Sequence, residues 1–217
     1  MAAFAIIPAA PILLADVDLA EAERIAFLRA AIETCLSTHA TWSLPVDELP
    51  PLAGLGGWGI DRGIDARTGE LLEGEDWVRA VGELAPADRA ACESAHPAIA
   101  VGLLHAHAAG VQIRPSGSSD DLLIPIDLSA ASAENSPLAP VPGAAAVDGQ
   151  LVRGITTGDA ADVGVAIAAA EDVHADLELL DAAAGLMMAR EPSAYAFRTV
   201  FDERVHEVRS LCGTGTY

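Results

Sequence analysis

Few side chains in this sequence are spaced for chemistry, and each has a plainer use to be weighed against it. His105 and His107 form H-A-H. On a strand both imidazoles would face one way and share a metal. Here they fall in a helical pattern, where they project about 200° apart around the axis, so a place near a helix C-terminus is the better reading. Gly54-Leu55-Gly56-Gly57-Trp58-Gly59 matches G-x-G-x-x-G. A dinucleotide loop needs a strand before it and a helix after it, and the flanks Asp47–Pro51 and Ile60–Gly63 supply neither. A plain glycine loop is expected. No G-x-S-x-G or H-E-x-x-H motif occurs. The chain has no lysine, so no Walker loop either. Cys35, Cys92 and Cys212 are widely separated and odd in number. They read as thiols in a reducing compartment, without a zinc knuckle or redox pair.

Two places remain. Asp127-Leu128-Ser129 directly follows the apolar run Leu122–Ile126. Ligands of open α/β sheets bind beyond the carboxyl ends of strands, so Asp127 and Ser129 can face a cleft that Ala9 and Ala10 also approach. Capping and turn hydrogen bonds are their ordinary alternative. His96 stands before Pro97 at a helix start and is the histidine to examine first. His39, His174 and His206 lie in polar surroundings, where surface placement is the default.

The elements that must position these groups follow from periodicity. Ala3–Ile7 is a continuous apolar run, which fits a strand buried on both faces, and Pro8–Pro11 must be a loop. Asp18 with Glu21 three residues on has capping-box spacing, and Ile25, Leu28, Ile32 and Cys35 follow at helical intervals. Thr41–Leu44 reads as a short strand, Leu49–Asp65 as irregular structure, and Glu73–Leu84 as a weak helix. A clearer helix runs from Pro97 to Ala109, with Gly110 as its stop. Val111–Arg114 and Leu122–Ile126 read as strands, and Ser129–Pro142 as a long loop of the kind that carries function. Ala146–Ile155, a segment capped by Asp159, and the Leu177–Met187 stripe read as helices. Val205–Leu211 reads as a strand and Cys212–Tyr217 as a glycine turn, with a strand cut short at Tyr217. The fold class expected is α/β, a single domain over residues 1–217 with a mixed central sheet flanked by helices.

Composition supports a folded, non-membrane chain. The apolar fraction is 52% with few aromatics, so small aliphatic contacts must build the core. The formal net charge of −20 repels a phosphate backbone or an anionic bilayer, and no nucleic-acid or membrane partner is expected. Met1–Leu14 lacks a basic leader and contains Pro8 and Pro11, unlike a signal peptide. No run approaches the roughly 18 apolar residues of a membrane span. A cytoplasmic protein is expected.

Four pieces occur in order: Ile7-Pro8-Ala9-Ala10-Pro11-Ile12-Leu13-Leu14, His96 before an apolar helix, Ile126-Asp127-Leu128-Ser129-Ala130, and Gly213-Thr214-Gly215-Thr216-Tyr217. Together they resemble the catalytic B subunit of class III extradiol ring-cleavage dioxygenases, the family of protocatechuate 4,5-dioxygenase, whose members tend to open with V-P-H-P-P-L-L and later carry G-D-L-S-H. The spacing of Asp127, Ser129, Glu134 and Pro137 resembles an actinobacterial branch with D-x-S-x(4)-E-x-x-P and a glycine-rich ending. The resemblance implies that family's B-subunit fold and oxygen-dependent cleavage of a catechol. It also implies a non-haem Fe(II) held by two histidines and a glutamate, with a further histidine as acid–base. This sequence has Ala9 at the first ligand position and Ala130 at the acid–base position, and Trp42–Leu52 contains no histidine. Alanine has no lone pair for iron and no exchangeable proton, so the Fe(II) cofactor is not expected here.

The leading expectation is a non-catalytic binding or scaffold protein, as a homodimer or beside a partner subunit, with no metal and an unidentified small-molecule ligand. The alternatives are a residual dioxygenase, or an enzyme with a rebuilt metal-independent site using Asp127, Ser129, Glu134 and His96. A Glu134 on the far side of the domain from Asp127 would exclude the rebuilt site.

Overall fold

In the computed structural model, which describes residues 1–17, 21–190 and 194–217, the apolar runs become the middle of a six-stranded mixed sheet. Its order is β6-β2-β7-β1-β9-β8. The strands are β1 (Ala3–Pro8), β2 (Thr41–Ser43), β6 (Gln112–Arg114), β7 (Leu122–Ile126), β8 (Ala196–Val205) and β9 (Val208–Thr216). β6, β2, β7 and β1 run parallel, while β9 is antiparallel to both β1 and β8.

Strand β1 shows why a continuous apolar run was needed. Ala3, Ala5 and Ile7 join one buried cluster, while Phe4 and Ile6 join the other. Alternate residues thus enter opposite layers of a sheet covered on both faces. One layer holds α1 (Ala22–Leu36) and α4 (Pro97–Ala108); the other holds α5 (Ala144–Thr157), α6 (Ala160–Ala169) and α7 (Glu178–Met188). Gly102 lets α4 lie close on the sheet, because a Cβ there would stand 3.0 Å from the Pro125 ring. Pro125 sits inside β7 at little cost. The Ile126 carbonyl accepts from Ala9 on the β1 side, so the imide nitrogen one residue earlier faces β2. There β2 pairs with β7 only at Ser43–Leu122, and no ladder bond is lost.

The stretch read as irregular is more ordered than its Pro and Gly content implies. β3 (Leu52–Gly54), β4 (Arg62–Asp65) and β5 (Glu70–Glu73) form a small antiparallel sheet. A side chain at Gly54 or Gly63 would run into the Trp77 ring, which α2 (Glu75–Glu83) lays across them. Ala53, Leu55 and Ile64 join the α1–α4 core, so this small sheet belongs to the same domain. An unanticipated helix, α3 (Pro86–Ser94), follows.

The C-terminal reading is corrected. Val205–Leu211 is not one strand, because the chain reverses at His206 and Glu207, with φ of 49° and 62°. These positive angles suit a two-residue hairpin turn. The glycines beyond it lie in β9 and not in a turn. A Cβ at Gly215 would stand 2.3 Å from the Phe4 ring and 2.4 Å from the Ala196 carbonyl. The Asp18 cap lies outside the described residues, and Glu21 occupies the N-cap position of α1 without a side-chain cap bond. Among the described residues, no helix is long and apolar enough to cross a membrane.

Candidate functional site

Parallel pairing of β1 and β7 ends both strands at the same edge, where Pro8 is in register with Ile126. The next residues are therefore neighbours. The Ala9 amide donates to the Ile126 carbonyl at 2.9 Å and to Asp127 Oδ1 at 3.1 Å. The Ala10 amide also donates to that carboxylate. Beyond them, Asp127 and Asp176 exchange backbone hydrogen bonds of 2.9 and 2.8 Å. This antiparallel bridge puts two acidic residues opposite each other.

His96 completes the group from the start of α4. Its Nδ1 accepts the Ala98 amide at 3.2 Å and so caps the helix. Its Nε2 faces Asp176 Oδ1 at 3.2 Å and Glu178 Oε2 at 3.6 Å. A ring nitrogen that accepts at Nδ1 carries its proton at Nε2, which fits donation to Asp176. The hydrogen bond to Asp176 is the main cause holding His96 above its ordinary pKa, against partial burial, and the charges of Asp176, Glu178 and Asp127 add to it. Protonation at Nδ1 would remove the acceptor that caps α4, so the cap works the other way.

Asp127 has the more unusual environment. Removal from water is the largest cause of its shift; the Ala9 and Ala10 amides and His96 oppose it, and the Asp176 charge adds to it. The carboxyl is pushed up to about 7.

Asp127 and Asp176 line a cleft of about 370 Å³ whose walls include Ile12, Leu13, Leu128, Val205 and Val208. That is within the range of small-molecule sites. Ala10, Ala130, His174, His206 and Ser210 also line it, and among the described residues no arginine does. Buried Ala9 supports it from the end of β1. His96 stands behind Asp176, outside the lining. A larger groove of about 660 Å³ runs past Trp58 and Trp77 beside the small sheet.

The other expected residues do not converge on the cleft. Ser129 is fully buried: its hydroxyl donates to the Val173 carbonyl and accepts the Ala131 amide, while its own amide donates to Asp148 Oδ1 at 2.9 Å. It holds the loop in place. Glu134 is exposed; its neighbours Ala130 and Pro137 reach the lining, but it does not. His174 is exposed, as expected, and lines the cleft, whereas His206 is half-buried in its wall, which corrects the surface default for that residue. Asp176, expected only on the polar face of the Leu177–Met187 helix, instead precedes that helix in a backbone bridge to Asp127. The D-V-H-A-D spacing of Asp172, His174 and Asp176 was the one available signal.

The H-A-H pair diverges as helix geometry requires. His105 is buried, with Nε2 lacking a hydrogen-bond partner, and burial drives its pKa down to about 4. His107 is exposed, 3.3 Å from the Gly69 carbonyl. Among the described residues, no group of three His, Cys, Asp or Glu side chains is disposed to hold a metal ion.

No protein-family model, no curated protein and no solved structure matches the chain.

Proposed function

We propose that this chain is built on an extradiol dioxygenase-like frame that has lost its iron centre, and that it binds a small molecule without turning it over. The observation that carries the proposal is the Asp127 carboxyl, withdrawn from water in an apolar-walled cleft at the ends of β1 and β7.

The donor set does not fit the iron that the resemblance implies. Methyl groups stand at Ala9 and Ala130, where nitrogen donors would be needed. Asp127 already accepts backbone amides, and burial raises its pKa to about 7, which disfavours the ionised form, whereas a ligating carboxylate must be ionised. Both nitrogens of His96 are engaged within the protein. No step through a metal follows from such a set.

The lining suits a neutral or cationic ligand. Among the described residues its ionisable groups are two carboxyls and two imidazoles, with no fixed cation, in a chain of net charge −20. An anion would meet unfavourable potential. A protonated Asp127 can donate a hydrogen bond to an acceptor, and an ionised one can receive a donor. Metal analysis of protein purified from iron-rich growth, followed by titration with neutral and cationic aromatic fragments, tests the proposal. Far less than one equivalent of metal, with fragments perturbing the Asp127 and Ala130 amides, is expected. Stoichiometric Fe, Mn or Zn would overturn it.

A second reading, a metal-independent acid–base enzyme, is favoured by the chain His96–Asp176–Asp127. A carboxyl near 7 beside a carboxylate–imidazole pair is the kind of arrangement that moves protons. It would work without Ser129 or Glu134. Turnover that is lost in both Asp127→Asn and His96→Asn would establish it in place of the binding role.

A further inference from the structure

Cys35 and Cys212 are 177 residues apart in sequence, but their sulfur atoms are 3.4 Å apart. All three cysteines are free thiols, and the fold brings two that are widely separated in sequence together. Cys35 lies in the last turn of α1 and Cys212 within β9. Both are buried in the layer between that helix and the sheet. Cys92 takes no part: its sulfur accepts the Leu52 amide at 3.4 Å beside the small sheet.

A disulfide sulfur–sulfur bond is about 2.05 Å long, so the two atoms must close by roughly 1.4 Å, a movement that a modest change of χ1 supplies. The pair is also asymmetric. The Cys212 thiol donates to Cys35, and the charge of Arg198 on β8 adds to it, so the Cys35 thiol ionises first. The hydrogen bond to Cys35, then burial, keep Cys212 protonated. One sulfur is suited to attack and the other to resolve.

We propose that Cys35 and Cys212 form an intramolecular disulfide when the protein meets a small oxidant such as hydrogen peroxide, joining the end of α1 to β9. The Cys35 thiolate attacks one peroxide oxygen and the O–O bond breaks. The departing hydroxide takes a proton and leaves as water. The Cys212 sulfur then displaces hydroxide from the resulting sulfenic acid, and its proton completes the second water. Two thiols and one peroxide thus give one disulfide and two waters. Burial favours an oxidant this small over a bulky disulfide reagent. The bond closes a loop over most of the chain, which restricts the unfolded state strongly.

The test uses the full chain with intact-mass and peptide analysis. After peroxide treatment, or refolding in a glutathione redox buffer, the mass should fall by about 2 Da. One of the three cysteines should remain alkylatable in denaturant, and a proteolytic digest should link the Cys35 and Cys212 peptides. Cys92→Ser should keep the crosslink; Cys35→Ser and Cys212→Ser should each abolish it. The oxidised chain should melt several degrees higher than the reduced one. Three alkylatable cysteines under both treatments, a crosslink to Cys92, or sulfinic acid without a crosslink would overturn the proposal.

Discussion

Replacing Asp127 by Asn should change how stability depends on pH, and the size of the change follows from the site. The carboxyl titrates at about 7 in the fold against an ordinary 3.8. About three units at about 1.4 kcal/mol each give about 4 kcal/mol. Because the folded pKa is the raised one, the folded chain holds the proton where the unfolded chain has released it. This contribution is therefore fully present below about pH 4 and is lost as pH rises to about 7. Asn cannot ionise and keeps an acceptor for the Ala9 amide. Urea denaturation of both proteins from pH 4 to pH 8 gives the difference directly. The variant should gain on the parent by about 4 kcal/mol across that window. A fixed cost of the exchange moves the whole difference curve and leaves its slope intact. A difference that does not vary with pH would refute the reasoning, because Asp127 would then be solvated like any surface carboxylate.

Three further outcomes follow. His105 has its pKa driven down to about 4 from 6.5, so its contribution is present above pH 6.5 and is lost as pH falls toward 4. His105→Leu should therefore remove about 3 kcal/mol of acid sensitivity, read from urea midpoints at neutral and acid pH. His96→Ala should lower stability by about 1 kcal/mol or more through loss of the α4 cap, while His96→Asn keeps an acceptor at the cap and should recover most of it in thermal melts. Gly215→Ala forces a methyl onto the Ala196 carbonyl and the Phe4 ring, and should cost about 2 kcal/mol in chemical denaturation.

The sequence revealed those parts of the fold whose physics is local. β1 and β7 are runs buried on both faces, and Pro97 and Gly110 bracket α4; each signal lies within a few residues. Asp127 was found because it follows such a run. The small sheet was hidden because its strands are only three or four residues long and depend on Trp77 for cover. The β8–β9 hairpin was hidden because its turn uses His206 and Glu207 in place of the usual Asn-Gly. Asp176 reaches the site through a single backbone bridge to a residue 49 positions earlier, and Cys212 meets Cys35 across most of the chain. Neither contact has a local signature. The alanines at 9 and 130 could be read from sequence, but not that Ala9 donates its amide to Asp127.

The cleft is proposed to bind its ligand without metal. The most direct test is a titration of chelator-treated protein and of Ala130→Trp, which fills the cleft, with the same neutral and cationic aromatic fragments. Binding to the metal-free parent but not to the blocked variant is predicted. Binding that appears only after Fe(II) is restored, or that is unchanged in Ala130→Trp, would contradict it.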